Sequence, residues 1–340
     1  MNNANYNIIS KPSVDSNRNL PIQILRVSAC LIVFLVHFGQ RTSLTGVVRN
    51  FTDFGAYGVH LFFLISGFLA CKTFFRKDKV DIKKYYIKRA IAILPLYYLV
   101  IAYYFVTENI LNQFVSVIPP DNLGVGWFRY IFVLNGFLTS DTYFWRNLGA
   151  TWTIPVFCVF YLIVPWVLKK RKSVFSVFLI WVVIFVGTHF LSEIYSCPVF
   201  ENLHYLFLGC VLFSSIEAKS YKKLELCLIL MSIGSMILQY YDLTITFIFS
   251  LLILIFVTID SFNLPKKVQK IIDCLDKYSY TLYLMHCVVF CSLLDRLKEL
   301  GVQPVIIGAL AIIGTVFATW IVGKYLEKPI QRFLRKKLNV

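Results

Sequence analysis

The stretch LRVSACLIVFLVH, Leu25 to His37, is almost entirely apolar, with Arg26 near its start and His37 at its end. A run of this kind is typical of a helix that crosses a lipid bilayer. Eleven residues at 100° each make three turns plus about 20°, so the two side chains share one helix face, about 16 Å apart along the axis. Ionisable groups inside a span are costly and usually face a polar interior. The stretch therefore predicts a polar track through a membrane helix bundle.

The composition of the whole chain agrees with a membrane protein. Of its 340 residues, 58% are hydrophobic and 15% are charged, whereas soluble domains carry about 25% charged residues. We predict an all-α polytopic integral membrane protein with about ten transmembrane helices. The predicted spans are 20–39, 57–75, 88–106, 151–168, 173–191, 203–216, 223–240, 243–260, 278–296 and 304–325.

The distribution of positive charge predicts the orientation. The net charge is +16, and with the N-terminus inside, most of the Lys and Arg residues lie on the cytoplasmic side, which puts both termini in the cytoplasm. The predicted partner is therefore the lipid bilayer and not nucleic acid. The apolar stretch 126–137 is predicted to be a re-entrant or interfacial element on the outer side, because a full crossing would place the basic loop 169–172 outside.

The remaining sequence features limit the chemistry. The nine cysteines form no CxxC pair, and there is no metal-ligand spacing, phosphate loop or nucleophile elbow, so no metal and no bound cofactor is predicted. The polar residues 1–19 contain no apolar signal segment and are interpreted as a cytoplasmic tail. A membrane domain over 20–330 and a basic cytoplasmic tail over 331–340 complete the predicted organisation.

The second predicted span contains three candidate residues. In GVHLFFLISGFL, His60 lies at a depth similar to His37, and Ser66 with Gly67 lies about one and a half turns deeper. Small residues let a neighbouring helix or a ligand approach closely. Plain helix packing explains Ser66 and Gly67 equally well from the sequence alone.

Two further candidates lie in the third and ninth predicted spans. Arg89 and nearby lysines form a positive cluster at the inner end of the third span, which acts either as a topology signal or as an attraction for phosphate groups. His286 lies about 12 Å into the ninth span, and a histidine at that depth is a functional candidate.

Seven motifs, in order, resemble the membrane acyltransferase-3 family of multi-pass bacterial O-acyltransferases that act on surface polysaccharides and lipids. They are the Arg-x10-His pair of the first span, GVHLFFLISGF, KRAIAILPLYY, TWTIPVFCVFYLIVP, HYLFLGCVLF, YSYTLYLMH and LEKP, spread over residues 20–330. The resemblance implies a protein of the bacterial cytoplasmic membrane that uses cytosolic acyl-CoA, usually acetyl-CoA, as co-substrate. It implies transfer of the acyl group to a hydroxyl of a cell-surface or lipid-linked glycan.

The resemblance also implies roles for individual residues. His37 matches the histidine regarded as essential, and Arg26 and Arg89 match arginines at the donor end. The candidate catalytic residues are His37, His60 and Ser66. The candidate donor-binding residues are Arg26, Arg89, Ser66, Gly67 and His286.

The mechanism and one alternative function stay open. We hypothesise direct transfer, with His37 as the base that removes the hydroxyl proton, but a double displacement through an acylated side chain is also compatible with these residues. Many family members carry glutamate where this chain has Phe157, and aspartate where it has His60. Loss of the carboxylate at position 157 gives weight to the alternative that the chain is a transporter or exporter of a surface polysaccharide.

Overall fold

The computed structural model describes residues 20–42, 44–76, 80–106, 127–137, 148–168, 173–259 and 264–340. Within these ranges the regular secondary structure is helical throughout, without a strand, which confirms the predicted all-α class. The helices are α1 (Leu20–Arg41), α2 (Gly46–Asp53), α3 (Gly58–Phe75), α4 (Ile82–Val106), α5 (Trp127–Ile131), α6 (Thr153–Leu168), α7 (Val174–Ile194), α8 (Pro198–Glu217), α9 (Tyr221–Ile237), α10 (Tyr241–Thr258), α11 (Lys266–Lys277), α12 (Ser279–Met285), α13 (Ser292–Glu299), α14 (Pro304–Val322) and α15 (Lys328–Lys337).

Nine helical segments in the described part of the chain are long and apolar enough to cross a membrane. The chain is therefore a polytopic membrane protein, as predicted. The seventh predicted span, 223–240, is not among these nine; it corresponds to α9, which has 17 residues and rises about 25 Å. Short turns connect α9 to α8 and α10, so this shorter helix runs back along the bundle between two long ones.

Two of the membrane helices contain a π-helical segment. One, His286–Cys291, joins α12 to α13, and the other, Gly323–Glu327, joins α14 to α15. A π-helical turn inserts extra backbone into an α-helix and is frequent at functional sites. The continuous helix Pro304–Lys337 extends beyond the predicted span 304–325.

The stretch predicted to be re-entrant forms short elements and no span. The five-residue helix α5 and the 3-10 turn Asn135–Phe137 lie between α4 and α6 in the chain. The Tyr97 hydroxyl on α4 donates to the carbonyl of Tyr130 at 2.7 Å, and Asn135 donates to the Thr151 hydroxyl at 3.1 Å. The element is therefore tied to α4 and to the 3-10 turn Gly149–Trp152 that precedes α6. The flanking residues 107–126 and 138–147 fall outside the described residues, as do residues 1–19.

The closest helix contact is between α3 and α8, and it depends on two glycines. A Cβ at Gly67 would meet the backbone of Leu206, and a Cβ at Gly209 would meet the backbone of Leu64. Because both neighbours are main-chain atoms, neither can make room by rotating a side chain. The two helices thus pack backbone to backbone, the arrangement that small residues permit in membranes.

We expect Gly67→Ala to lower the stability of the folded protein. The added methyl group must push α3 away from α8, and overpacking of this kind costs about 1–3 kcal/mol. The measurement is the thermal unfolding midpoint of the purified protein in lipid nanodiscs. Gly187→Ala on α7 is the control, because nothing lies within 4 Å of a Cβ there. Equal midpoints for the two variants would contradict the assigned contact.

Candidate active site

A cavity of about 290 Å³, which we call the inner cavity, lies between α1, α3, α4, α6 and α12. Arginines line it at the end that the charge distribution predicts to be cytoplasmic, and mostly apolar side chains line the rest. Its lining residues are Arg26, Val59, Phe62, Ser66, Leu69, Arg89, Ala92, Ile93, Thr153, Ile154, Phe157, Tyr161, Ser279, Tyr280 and Tyr283. The structure thus brings Arg26, Arg89 and Ser66 to one space.

Aromatic rings hold the Arg89 guanidinium. Its central carbon lies 4.7 Å from the centre of the Tyr161 ring and 5.3 Å from that of Tyr85. A guanidinium over the face of an aromatic ring is stabilised electrostatically without losing its charge. Among the described residues no carboxylate forms an ion pair with Arg89. Its donors therefore face a cavity in which an anionic ligand can bind them bidentately.

Arg26, in contrast, is already paired. Its Nη1 donates to Oδ1 of Asp276 at 2.6 Å, and the Asp276 side chain is 9% exposed. One turn earlier on α1, Gln23 donates to Asp273 at 2.9 Å. These contacts fix the amphipathic helix α11 against the inner end of α1. Arg26 thus has a structural role at the mouth of the cavity, and its charge is largely compensated there.

His37 lies beside His286, with ring centres 5.0 Å apart. His286 is fully buried, whereas His37 is half-buried. The neighbouring thiol of Cys287 lies 3.4 Å from Nε2 of His286. The resemblance implies that His286 contacts the donor, and the structure places its ring beside that of the candidate base His37.

The hydrogen bonds of His286 determine which of its nitrogens is available. Its Nδ1 contacts the carbonyl oxygen of Tyr283. A carbonyl only accepts, so Nδ1 carries the hydrogen and Nε2 is left as the acceptor. A neutral imidazole held in this tautomer can accept a proton from a neighbouring group at Nε2.

These three side chains also bear on metal binding. Ligand atoms of His37, His286 and Cys287 lie within 4.8 Å of one another, the one such group found in the described part of the chain. A structural zinc site needs about four ligands at roughly 2.0–2.3 Å. His286 offers only Nε2 to this group, because its Nδ1 contacts the Tyr283 carbonyl, and the described residues add no fourth ligand.

Tyr283 separates the inner cavity from the two histidines. It lines the cavity, its ring centre is 5.2 Å from that of His286, and its hydroxyl donates to the carbonyl of Ala150 at 3.2 Å. His37 itself does not line the cavity. The order from the inner end is thus Arg89, the apolar cavity, Tyr283, His286 and His37.

The residues predicted on α3 divide between two faces. Ser66 lines the inner cavity, but Gly67 packs on Leu206 and is not among the cavity residues. His60 faces away from His37: its ring lies 4.2 Å from that of Tyr205, and its Nδ1 lies 3.1 Å from the Thr246 hydroxyl oxygen. The geometry therefore places Ser66 in the inner cavity and Gly67 in the contact with α8, and it places His60 away from the candidate base.

Phe157, the position at which the resemblance implies a glutamate, lies on the wall of the inner cavity. Its ring packs 5.1 Å from that of Phe63 and 6.2 Å from that of Tyr161. Tyr161 is also a partner of Arg89. Position 157 thus lies on the Arg89 side of the cavity, and its ring contacts do not include His37.

Sequence reasoning missed several residues that shape the site. They are Asp276, which pairs with Arg26; Tyr161, which holds Arg89; Tyr283, which closes the cavity; and Glu327, which is buried beneath α12. Tyr161, Tyr283 and Glu327 lie in motifs quoted for the resemblance, which was their only signal.

Comparison with known proteins bears on the family. The acyltransferase-3 family model, described as an acyltransferase domain, matches residues 19–324. No curated protein and no solved structure matches the chain. The family match covers all the helices from α1 to α14 and every residue discussed above except those at the C-terminal end. The chain belongs to the acyltransferase-3 family.

Proposed function

We propose that this acyltransferase moves an acetyl group from cytosolic acetyl-CoA to a hydroxyl of a cell-envelope glycan. The observation that carries the proposal is the inner cavity. It begins at Arg89, which pairs with no carboxylate of the described residues, and it ends at Tyr283, whose ring separates it from His286 and His37. Phosphates of the donor bind at Arg89, and its acyl arm extends along the apolar cavity past Ser66 toward Tyr283.

The reaction needs one base. A sugar hydroxyl is a weak nucleophile until its proton is removed, and an imidazole that exchanges protons near neutral pH suits that task. The hydroxyl oxygen attacks the thioester carbonyl carbon while His37 takes its proton. The carbon–sulfur bond then breaks, and the thiolate takes up the proton and leaves as CoA. His286, whose acceptor Nε2 also faces the Cys287 thiol, stabilises the protonated form of His37 through a shared proton.

The experiment that tests the proposal measures both products. Purified protein in lipid nanodiscs is supplied with acetyl-CoA and a glycan fraction, and CoA thiol release is followed together with the mass of the glycan. We expect thiol release that depends on the glycan, matched by an added acetyl group. A polysaccharide exporter, the alternative function, would release no thiol and leave the glycan mass unchanged.

Arg89→Lys should raise the KM for acetyl-CoA and change kcat little. Lysine keeps the charge but lacks the planar fork of donors and the stacking on Tyr161. The loss of a charge-assisted hydrogen bond, about 1.5–3 kcal/mol, corresponds to roughly a 10–100-fold increase. Arg26→Lys should have a smaller effect on KM, since that charge is already paired with Asp276.

Arg76→Lys is the matched control. Arg76 follows α3 at its inner end and forms a 3.4 Å pair with Glu217, both of them more than a third exposed, outside the cavity. Its donor KM should equal that of the wild type. An unchanged KM in Arg89→Lys as well would show that Arg89 does not bind the donor.

A further inference from the structure

A second and larger cavity lies at the opposite end of the bundle, among α3, α7, α8, α9 and α10, and we call it the outer cavity. Its volume is about 930 Å³. It is lined by Tyr57, His60, Trp181, Phe185, Thr188, His189, Ser192, Phe200, Glu201, Asn202, His204, Tyr205, Met231, Ser235, Leu238, Gln239, Tyr240, Tyr241, Asp242, Leu243 and Phe247. It includes no residue that lines the inner cavity.

Two buried polar groups on its wall lack a hydrogen-bond partner. Nε2 of His204 and Nε1 of Trp181 are both unpaired among the described residues, although the two residues are only 7% and 4% exposed. Leaving such a group buried and unsatisfied destabilises the folded state, and native structures contain few of them. Both residues line the outer cavity, so a molecule bound there is one source of partners for them.

Stacked rings form one wall of the outer cavity. The ring of Tyr205 lies 3.9 Å from that of His204 and 4.2 Å from that of His60. Phe185 packs against His204 from the other side at 5.1 Å. Flat apolar ring faces with polar edges suit a ligand that has both C–H faces and hydroxyl groups, as a pyranose ring does.

The charges of the cavity select among such ligands. Glu201 and Asp242 are exposed at its rim, and no Lys or Arg is among its lining residues in the described chain. The Tyr57 hydroxyl donates to Asp242 at 2.9 Å, and the Ser196 hydroxyl donates to Glu201 at 2.5 Å. Each carboxylate keeps lone pairs that can accept from sugar hydroxyls. A ligand bearing carboxylate or phosphate groups would instead be repelled.

We propose that the outer cavity binds an uncharged saccharide unit of the acceptor glycan. Its assignment to the acceptor rests on the proposed function, whereas saccharide binding itself does not. His37 is not a lining residue, so the unit held here is a neighbour of the one that is acylated. The outer cavity and His37 are connected by a direct helix contact. Gly55, two residues before the lining residue Tyr57, packs on Val36, the residue before His37.

The test measures binding without catalysis. Wild-type protein in nanodiscs, free of glycoside detergents whose sugar headgroups would compete, is titrated with methyl glucoside, N-acetylglucosamine and glucuronate, and binding is followed by saturation-transfer NMR. We expect binding of at least one neutral sugar and none of glucuronate. Trp181→Phe removes the unpaired N–H and should weaken neutral-sugar binding about tenfold. Glu201→Gln alters only an exposed rim carboxylate and should weaken it as well.

Glu193→Gln is the control, because Glu193 is an exposed carboxylate near the end of α7 outside the cavity. It should bind sugar like the wild type. The proposal is overturned if no neutral sugar binds, if glucuronate binds equally well, or if Trp181→Phe and Glu201→Gln leave binding unchanged. His37→Ala should retain binding. Sugar binding without any acetyl transfer would support the site while refuting the proposed function.

Discussion

His37→Ala is expected to lower kcat for acyl transfer by about 10²–10⁴-fold, the range attributed to a single general base. The donor KM should stay near the wild-type value, because Arg89 lies at the other end of the inner cavity, beyond Tyr283. The thermal midpoint should also change little, since His37 is half-buried at the outer part of α1. The measurement is glycan-dependent CoA release by purified protein at saturating acetyl-CoA.

Two further variants make the test specific to proton transfer. His37→Gln retains hydrogen-bonding groups but cannot exchange a proton near neutral pH, so it should be as slow as His37→Ala. Leu31→Ala, at a lipid-facing position of the same helix that is 52% exposed, should keep full activity. Full activity in His37→Ala, or near-normal activity in His37→Gln, would rule out the role of base.

The polar face of α1 could be predicted because the residues that share a helix face follow from their spacing in the sequence alone. Contacts at a spacing of four, four and three residues follow that face: Arg26 to Asp276, Cys30 to the Ser279 carbonyl, Phe34 to His286, and His37 to His286. All of them point toward the segment from α11 to the π-helical turn. The periodicity indicated which side of α1 is polar, but the partner lies about 250 residues away in the chain, and no local rule predicts which helix packs there.

The helical rotation between His60, Ser66 and Gly67 is a signal in the sequence that the prediction for α3 did not use. Six residues separate His60 from Ser66, a rotation of about 240°, whereas the seven residues from His60 to Gly67 bring the chain back to nearly the same face. The structure follows this geometry, with Ser66 on the inner cavity, Gly67 on α8 and His60 on the outer cavity. The similar depth of the two histidines suggested that His60 lies near His37. The rotation around α3 instead places His60 on a different face from Ser66, toward the outer cavity.

The buried ion pairs could not be predicted from the sequence pattern. α11 has alternating charged and apolar residues and is not a span, so nothing in the pattern indicated that Asp276 would dock on Arg26. The same holds for Glu327 in the LEKP motif, which the resemblance identifies without explaining. In both cases the partner is chosen by how helices distant in the chain pack together, which is a tertiary property.

Glu327→Ala is expected to destabilise the inner end of the bundle by about 3–5 kcal/mol, the typical cost of removing one partner from a buried charged network. Glu327 is 2% exposed. Its carboxylate accepts from the Thr281 hydroxyl, from Gln331 Nε2 at 2.9 Å and from Lys328 Nζ at 2.9 Å. Without it, the buried donors of Thr281 and Gln331 lose their acceptor.

Removal of the Glu327 carboxylate should also disturb the candidate active site. Tyr280, next to Thr281, lines the inner cavity and donates its hydroxyl to the Ile93 carbonyl on α4 at 2.8 Å. Gln331 contacts the Ala92 carbonyl on the same helix at 3.3 Å. Release of α12 and α15 from this network therefore loosens the wall of the inner cavity, and we expect Glu327→Ala to lose acyl transfer together with thermal stability.

The chain offers a matched control and a graded variant. Glu299→Ala removes a 65% exposed carboxylate that pairs with Arg296, and an exposed pair contributes at most about 1 kcal/mol, so midpoint and activity should stay near wild type. Glu327→Gln keeps the shape and one acceptor oxygen but loses the charge, and it should fall between the wild type and Glu327→Ala in both measurements. If Glu327→Ala unfolds at the wild-type midpoint, the carboxylate does not hold α12, α4 and α15 together. If it unfolds at a lower temperature than the wild type yet retains full activity with an unchanged donor KM, the network stabilises the fold without shaping the inner cavity.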